Sequence, residues 1–399
     1  MRSPPIVKSC TRSLAKPPLP SHRLPLDSQR HISAYGYTQA KCLVYPKHGE
    51  PKDVLDLHSH SISPPHKNLV TLRTLAAPLN PADINQIQGV YPSRPEFTTS
   101  LGYTNGASIA IPGNEGCFEV LSVGSAVKSV QKGDWVIARQ TGLGTWRTHL
   151  QVEEDRILRV EKEGLKPMQP ATVGVNPVTA WRMLTDFVTL DTSKGDWFIQ
   201  NGANSGVGRA AIQLGKKWGF KNIAVVRDRP GEEGLKLRKE LEDLGATKVI
   251  TEEQLQSQGF CDQVKEWTDG GRESIRLALN CVGGKPAHSL AKLLSSNGHI
   301  ITYGAMSKQP LSIPAGMLIF KNLVFEGFWV SKWSDQHPEE KKKTVEQVLE
   351  WTRRGVFVDT PFVEVPWEWG TGKSELVEAV QGTLEGYRKG KGIFVFGDT

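Results

Sequence analysis

Apolar residues in the first part of the chain come in short runs that Gly and Pro separate. Several runs alternate apolar with polar positions or are rich in Val, Leu and Ile, which is typical of half-buried strands. The predicted strands are 40–45, 69–75, 118–124 and 132–138. Between residues 35 and 174 the pattern therefore predicts a barrel-like β-domain of irregular antiparallel strands.

The pattern changes after residue 195, where strands and helices alternate. Predicted strands cover 197–199, 222–226, 247–250, 275–282, 299–303 and 323–330, and predicted helices include 234–244 and 287–294. Such alternation predicts a parallel, doubly wound sheet of the α/β class. Ligands bind these sheets outside the carboxyl ends of the strands.

The remaining segments connect and complete these two regions. One helix is predicted over 170–187, and a charged helix over 339–351, where the lysine run 341–343 indicates a solvated face. The terminal stretch 389–396 needs a strand partner, which the β-domain can supply. We expect a leader (1–34), a discontinuous β-rich domain (35–174 and 340–399) and a nucleotide-binding domain (175–339).

The stretch 197–214 carries the clearest chemical signal. An apolar run leads into a glycine-rich turn and then into the start of a helix. Such a unit binds dinucleotides, because a pyrophosphate sits against backbone N–H groups at a helix N-terminus. We expect Gly202, Gly206 and Gly208 where only a hydrogen atom fits, although their Gly-x-x-x-Gly-x-Gly spacing departs from the usual Gly-x-Gly-x-x-Gly.

The end of the next predicted strand indicates which dinucleotide binds. Arg227 and Arg229 flank Asp228 directly after the run 222–226. A planar guanidinium group binds phosphate oxygens in pairs, so arginine here favours the 2′-phosphate of NADPH. The alternative is a solvated charge cluster at the end of a strand.

A second segment, residues 79–92, predicts a short helix followed by a loop. Asn80 is a suitable N-cap, Pro81 suits the first helical position and Gly89 ends the helix. Tyr91 then lies on the loop, where a tyrosine can deliver a proton to a bound ligand. From the residues alone, a surface or packing tyrosine is the commoner interpretation.

Charge and composition mainly exclude functions. The net charge is +7, but residues 1–30 carry six Lys or Arg and one acid, so most of the basicity belongs to the leader. Nucleic acid is therefore not expected as a primary ligand. The Ser- and Pro-rich, acid-poor leader fits a mitochondrial transit peptide or, alternatively, a disordered basic tail. No apolar run approaches the roughly 20 residues of a transmembrane segment.

Four segments give the chain a resemblance to a known family: 80–92, 202–208, 226–230 and the pair 328–329. Together they resemble the medium-chain dehydrogenase/reductase superfamily, and within it the mitochondrial trans-2-enoyl thioester (enoyl-[acyl-carrier-protein]) reductases. The resemblance implies a GroES-like catalytic domain beside a Rossmann domain, a homodimer joined through the edge strand 323–330, and a location in the mitochondrial matrix.

The resemblance also implies roles for single residues. Tyr91 is expected to be the catalytic acid, and Lys391 matches a cofactor-binding lysine of the family better than Lys389 does. For Phe328 and Trp329 the residues alone favour core packing and pocket lining equally. The set expected to contact NADPH is Asn176, Asn204, Ser205, Gly206, Val207, Arg227, Asp228, Arg229, Tyr303, Gly304, Ala305, Met306, Phe328, Trp329, Val330 and Lys391.

The chain departs from the zinc-dependent alcohol dehydrogenases of the same superfamily. Those enzymes have a His before the Glu where this chain has Asn114 and Glu115, and a Cys near the position of Asn80. Their four-cysteine lobe is missing, because the five cysteines here are scattered. A catalytic zinc needs about three protein ligands, so no metal is expected.

The expected activity is the NADPH-dependent reduction of trans-2-enoyl thioesters, carried by acyl carrier protein or CoA, in mitochondrial fatty acid synthesis. Two alternatives stay open. An NADPH quinone oxidoreductase would share the glycine turn and the lack of zinc. An NADPH-binding sensor or partner protein without turnover would have no need of Tyr91.

Overall fold

Two sheets and the helices around them make up most of the protein. The computed structural model describes residues 36–384 and 390–399. The strands are β1 (Thr38–Val44), β2 (Asp56–Ile62), β3 (Leu69–Pro78), β4 (Cys117–Val123), β5 (Trp135–Ala138), β6 (His149–Glu153), β7 (Ile157–Val160), β8 (Trp197–Gln200), β9 (Lys221–Val226), β10 (Lys248–Thr251), β11 (Ile275–Asn280), β12 (His299–Thr302), β13 (Val324–Gly327), β14 (Phe362–Trp367) and β15 (Lys391–Phe396). The helices are α1 (Pro51–Val54), α2 (Pro81–Ile87), α3 (Met168–Val173), α4 (Asn176–Thr185), α5 (Gly206–Trp218), α6 (Glu232–Leu244), α7 (Glu252–Gln256), α8 (Phe260–Trp267), α9 (Gly284–Leu293), α10 (Ala315–Ile319), α11 (Val330–Gln336), α12 (Pro338–Arg353) and α13 (Lys373–Leu384).

The first sheet has seven strands and is antiparallel except for the pair β14 and β15. Its order is β14-β15-β3-β4-β5-β7, and β6 also pairs with β3. Residues 69–73 of β3 pair with β6, whereas residues 76–78 pair with β15, so the sheet splays along this one strand. Leu72, Phe118 and Val136 are fully buried between the strands. The predicted barrel-like β region is confirmed.

The second sheet has six parallel strands in the order β10-β9-β8-β11-β12-β13. The chain runs outward from β8 through α5 to β9 and β10, then returns to β11 on the other side of β8. Every residue of β8 is buried, which explains its continuous apolar run. The predicted doubly wound sheet is confirmed, and its strand order reverses between β8 and β11, where such sheets bind ligands.

Two predicted elements differ in the structure. The single helix predicted over 170–187 is two helices, α3 and α4, with a break at residues 174–175. The strand predicted over 323–330 ends at Gly327, and Val330 begins α11. The strand ends there because Gly327 pairs with Thr302, the last residue of the neighbouring strand β12.

The lysine run of α12 is not a uniformly solvated face, so that prediction is wrong for its first member. Lys341 is 3% exposed, and its Nζ donates a hydrogen bond to the carbonyl oxygen of Arg139 at 2.6 Å. Val345 and Val348 pack on the same core as Val173. The helical period places residues 341, 345 and 348 on one face, and this face is the buried one.

The strands β14 and β15 join the first sheet, so segments that precede and follow the six parallel strands in the chain build one sheet. The domain limits proposed from the sequence stay a prediction, and the leader 1–34 lies outside the described residues. None of the helices formed by the described residues has the length and apolar character needed to cross a lipid bilayer.

Candidate active site

The glycine turn and the start of α5 form one wall of the site, at the carboxyl end of β8. Ser205 caps the helix, because its Oγ accepts a hydrogen bond from the N–H of Gly208 at 3.1 Å. The helix has 13 residues, and its first N–H groups carry the positive end of the helix dipole. This end can therefore receive an anionic group such as a pyrophosphate.

Contacts within the turn explain the unusual glycine spacing. A Cβ atom at Gly206 would lie 2.5 Å from Nδ2 of Asn176. A Cβ atom at Gly208 would lie 2.6 Å from backbone atoms of Ala203, which no side-chain rotation can relieve. These glycines are thus required by the packing of strand, turn and helix, in addition to any ligand that approaches the backbone.

Two buried asparagines hold the floor of the site, and sequence reasoning missed them. Nδ2 of Asn201 donates to Oδ1 of Asn280 at 2.8 Å, and Oδ1 of Asn201 accepts from the N–H of Cys281 at 2.8 Å. A Cβ atom at Gly202, where φ is +58°, would come within 2.5 Å of Sγ of Cys281. In the sequence, the signal for these residues is that each is a polar side chain at or near the end of an apolar strand run.

A cavity of about 400 Å³ lies beside the start of α5. Asn204, Ser205 and Gly206 line it from the turn, and Arg229 and Lys391 line it from two other segments. The structure therefore brings together five residues of the predicted cofactor set. Four cationic residues line the cavity, Arg209, Arg229, Lys236 and Lys391, against two acids, Glu233 and Glu240. This positive balance near a helix N-terminus suits the phosphate groups of a dinucleotide. Lys389, the weaker match, lies outside the described residues.

The two arginines after β9 line different cavities. Arg229 lines the cavity beside α5, whereas Arg227 and Asp228 line an open cavity of about 650 Å³ together with Glu252. Burial raises the pKa of Glu252, and the positive charge of Arg227 acts in the opposite direction. The arginines flanking Asp228 are therefore separated, which their spacing in the sequence did not indicate.

Residues 303–306 follow β12 at the same edge of the sheet. The N–H of Tyr303 donates to the carbonyl oxygen of Asn280 at 3.0 Å, and the N–H of Met306 donates to that of Cys281 at 2.9 Å. Burial of the hydroxyl raises the pKa of Tyr303 well above its ordinary value. Ala305 and Met306 are exposed, which leaves them accessible to a ligand.

The aromatic pair after β13 divides between the core and the cleft. Phe328 is buried and packs edge-on against Phe187, with 5.9 Å between ring centroids. Nε1 of Trp329 donates to Oη of Tyr91 at 2.9 Å, and the two rings form a T-shaped pair with centroids 6.0 Å apart. Trp329 is thus the member of the pair that meets the predicted acid.

Tyr91 lies where the two sheet regions face each other. Its N–H donates to the carbonyl oxygen of Asn85 in α2 at 3.2 Å. Burial raises the pKa of Tyr91, and hydrogen bonds with Trp329 and Ser331 only partly oppose this shift. The hydroxyl therefore stays protonated at neutral pH and can donate a proton. Ser331, which is buried, was another residue missed from the sequence.

A buried polar cluster lies behind Tyr91, and we call it the amide–carboxylate network. Nδ2 of Asn80 donates to Oε2 of Glu115 at 3.0 Å, and Oδ1 of Asn80 accepts from Nζ of Lys391 at 2.5 Å. Burial raises the pKa of Asp83 to about 7 and lowers the pKa of Lys391, whose positive charge the two carboxylates favour. The members of the network are Asn80, Asp83, Gln86, Asn114 and Glu115, each at most 5% exposed.

This network does not fit a catalytic metal. Asn80 and Asn114 stand where zinc-dependent relatives carry ligands, but their amide groups donate to the carboxylates of Glu115 and Asp83. A side-chain amide lacks the soft sulfur or imidazole donor that zinc prefers. Among the residues that the structure describes, no group of three or more His, Cys, Asp or Glu could hold a metal ion.

Family models match both halves of the chain. The alcohol dehydrogenase GroES-like domain matches residues 66–162, and the domain described as zinc-binding dehydrogenase matches residues 206–352. The expected medium-chain dehydrogenase/reductase architecture, with a GroES-like domain and a Rossmann-type domain, is confirmed.

Comparison with individual proteins identifies the family within this superfamily. The mitochondrial enoyl-[acyl-carrier-protein] reductase of Yarrowia lipolytica is 49% identical over 80% of this chain and 82% of its own length. An NADPH quinone oxidoreductase of Kluyveromyces marxianus is 40% identical over 80% of this chain and 83% of its own length. Several relatives are named as mitochondrial enzymes, which supports a mitochondrial location for this chain.

The protein Etr1p gives the structural comparison. It has been solved in a complex with NADP and crotonyl-CoA, and in the Etr1p/Etr2p heterodimer of the Candida tropicalis mitochondrial 2-enoyl thioester reductase. Both structures superpose with a TM-score of 0.84 at 42% identity, over 90% of this chain and 99% of the other. With the sequence relatives and the matching domains, this places the chain in the mitochondrial enoyl-[acyl-carrier-protein] reductase family.

Proposed function

We propose that this protein reduces trans-2-enoyl thioesters to saturated acyl thioesters with NADPH. The observation that carries the proposal is the position of Tyr91, a protonated hydroxyl that meets Trp329 across the cleft at 2.9 Å. The cavity lined by the glycine turn, Arg229 and Lys391 supports a phosphate-bearing cofactor. The related Etr1p complex contains NADP and an enoyl thioester, crotonyl-CoA.

Bound NADPH would supply hydride to the β-carbon of the enoyl group. Negative charge then develops on the thioester oxygen, and the Tyr91 hydroxyl supplies the proton that the α-carbon needs, directly or through a water molecule. The hydrogen bond from Trp329 engages a lone pair of Oη, so the Tyr91 O–H remains available as a donor. Within the predicted set, this proposal rests on the residues that line the cavity beside α5: Asn204, Ser205, Gly206, Arg229 and Lys391.

The acyl chain needs an apolar surface beside Tyr91. Trp329 is 37% exposed and offers apolar ring surface there, whereas Phe328 supports the strand end from the core. Arg94 is exposed, and its Nε donates to the carbonyl oxygen of Tyr91 at 3.3 Å. This positive charge beside the acid suits a phosphorylated thioester carrier, either CoA or acyl carrier protein, in mitochondrial fatty acid synthesis.

The protein also carries an exposed apolar patch, for which we propose a second copy of the chain as the partner. Leu318, Ile319 and Phe320 at the end of α10 are exposed by 48%, 69% and 83%. They lie beside the edge strand β13, and apolar groups next to an unpaired edge favour association. Analytical sedimentation of the native protein and of Phe320→Glu tests this proposal: we expect a dimer for the native protein and a monomer for the variant.

We further propose that the protein is located in the mitochondrial matrix.

Turnover assays distinguish this function from its alternatives. NADPH oxidation is measured with crotonyl-CoA and, separately, with a quinone, with NADH as the control cofactor. We expect NADPH-dependent loss of the enoyl double bond, and Tyr91→Phe should lower kcat by about 100-fold or more. NADPH binding should be unchanged in that variant, because the predicted cofactor contacts are intact.

Each other result points to a different function. Quinone reduction without enoyl turnover would support the oxidoreductase activity for which the Kluyveromyces marxianus relative is named. NADPH binding without turnover of either substrate would support a sensor. Full enoyl turnover by Tyr91→Phe would remove Tyr91 as the acid.

A further inference from the structure

The loop that carries Tyr91 is held by a side chain as well as by its backbone. Nε2 of Gln86, in the last turn of α2, donates to the carbonyl oxygen of Ser93 at 3.0 Å. The N–H groups of Val90 and Tyr91 both donate to the carbonyl oxygen of Asn85. Hydrogen bonds therefore hold the loop at two places, at residues 90–91 and two residues after Tyr91, at Ser93.

The Gln86 amide is itself oriented by its neighbours. Nδ2 of Asn114 donates to Oε1 of Gln86 at 2.7 Å, and Oδ1 of Asn114 accepts from Nε2 of Gln86 at 3.3 Å. Nδ2 of Asn114 also donates to Oδ1 of Asp83 at 2.5 Å. Both side-chain oxygens of Asp83 face N–H donors, Oδ1 that of Asn114 and Oδ2 that of the Asn80 backbone. Asp83 therefore fixes the direction of the Asn114 amide, and Asn114 fixes that of the Gln86 amide so that its N–H meets Ser93.

The remaining oxygen of Asp83 is also satisfied. Oδ2 accepts from the backbone N–H of Asn80 at 2.7 Å, at the start of α2. Asn80 is joined in turn to Glu115 and to Lys391. An unbroken series of buried hydrogen bonds thus runs from a predicted cofactor contact, Lys391, to the loop of the predicted acid.

The apolar packing of α2 lies on a different face from this series. Ile84 and Ile87 give α2 an apolar face that packs in the main core of the β-region. Burying polar and charged groups usually gives no more stability than apolar residues of similar size, whereas a fully satisfied polar network specifies one geometry. The two faces of α2 therefore have different tasks, one in folding and one in placing the loop.

We infer that Gln86 is a positioning residue for Tyr91, and that Asp83 and Asn114 act through it by fixing the direction of its amide. This inference rests on the proposed role of Tyr91 as the proton donor. Gln86 is 1% exposed and its amide bonds to Ser93 and Asn114, so its loss should affect turnover and not binding.

Gln86→Glu tests the inference with little change in shape. A carboxylate oxygen would replace the N–H group that faces the Ser93 carbonyl oxygen, so the loop should move. We expect kcat with crotonyl-CoA to fall by about 10-fold or more, and KM and the NADPH Kd to stay within about twofold, because a misplaced catalytic group lowers kcat. Gln86→Met, which removes both amide bonds without adding charge, should give the same result.

The matched control is Gln88→Glu, which makes the same change two residues later in the chain. Gln88 pairs with Glu50 at the surface. Its variant should keep the kcat of the native protein. Thermal unfolding of all variants and hydrogen exchange of the 88–95 segment separate movement of the loop from loss of the fold, since only the Gln86 variants should exchange faster there.

A double-mutant cycle distinguishes positioning from a general structural role. In a Tyr91→Phe background, Gln86→Glu should cause no further loss of kcat, because there is no proton donor left to position. A loss of the same factor in both backgrounds, or an unchanged kcat in the native background, would overturn the inference. Full activity of Tyr91→Phe alone would instead overturn the proposed role of Tyr91. Because that single variant is measured in the same cycle, failure of the proposed function can be distinguished from failure of the inference about Gln86.

Discussion

The two walls of the cleft are built from different parts of the protein chain. The wall beside α5 comes from one continuous stretch, residues 197–214, and presents backbone N–H groups. The wall that carries Tyr91 depends on side chains from α2, from the turn before β4 and from β15. In the first wall, side-chain atoms added at the glycines would collide with neighbouring atoms. The second wall depends on the direction of individual amide and carboxylate groups.

This difference separates binding from turnover. A backbone wall can bind a phosphate whatever its side chains are, provided that the turn keeps its shape. A side-chain wall can place one hydroxyl accurately, but each of its polar groups needs a partner. Changes in the first wall should therefore alter cofactor affinity, and changes in the second should alter kcat or the pH dependence of stability.

The largest effect is expected from Gly208→Ala in the backbone wall. The new Cβ would lie 2.6 Å from backbone atoms of Ala203, so the turn has to shift. We expect the NADPH Kd, measured by fluorescence titration, to rise by about 100-fold or more, since the N–H groups then lose their alignment. Gly370→Ala is the control, because its Cβ would meet no atom within 4 Å. Native affinity in a folded Gly208→Ala would contradict the role given to this wall.

A smaller effect is expected from Arg229→Gln, and it sharpens the assignment of the cofactor. A charge-assisted hydrogen bond contributes about 1.5–3 kcal/mol, so the NADPH Kd should rise by about 10- to 100-fold. The NADH Kd should not change, because NADH lacks the 2′-phosphate. Arg227→Gln is the matched comparison, since Arg227 lines the separate cavity with Glu252. An equal loss for NADPH and NADH would show that Arg229 does not recognise the 2′-phosphate.

A different kind of effect is expected from Lys341→Met, next to the side-chain wall, because it appears as a pH dependence of the free energy of unfolding and not as a change in Kd. Burial lowers the pKa of Lys341 from 10.5 to about 8. Between these values the unfolded chain binds more protons than the folded chain, so the contribution of Lys341 to the free energy of unfolding rises with pH. Relative to Lys341→Met, the native protein should gain on the order of 2–3 kcal/mol between about pH 8 and 10.5.

Chemical denaturation at several pH values measures this gain. Lys343→Met is the control, because Lys343 is exposed on the same helix and should give a difference that does not vary with pH. A flat difference for Lys341→Met would mean that the lysine is not desolvated in solution.

Local patterns in the sequence predicted much of this arrangement. The glycine turn, the helix before Tyr91 and the strand before Arg227 all lie where the sequence indicated. The expectations that failed concern the surroundings of a residue or the limits of an element. Lys341 is buried, and the strand predicted to reach residue 330 ends at Gly327.

The amide–carboxylate network shows why such features escape sequence reasoning. Its bonds join residues far apart in the chain: Asp83 with Asn114 across 31 positions, and Asn80 with Lys391 across 311. The contact between Tyr91 and Trp329 spans 238 positions. A single sequence contains these polar residues but not the pairing among them.

The sequence by itself determined the alternation of strands and helices, the dinucleotide-binding turn and the family to which the chain belongs. These properties depend on side-chain period, backbone preference and spacing within a few turns, which neighbouring residues encode. The tertiary structure alone decided which polar groups were buried together and which side chain meets Tyr91. That outcome depends on how the sheets pack, because a hydrogen bond forms only when packing brings a donor and an acceptor to about 3 Å.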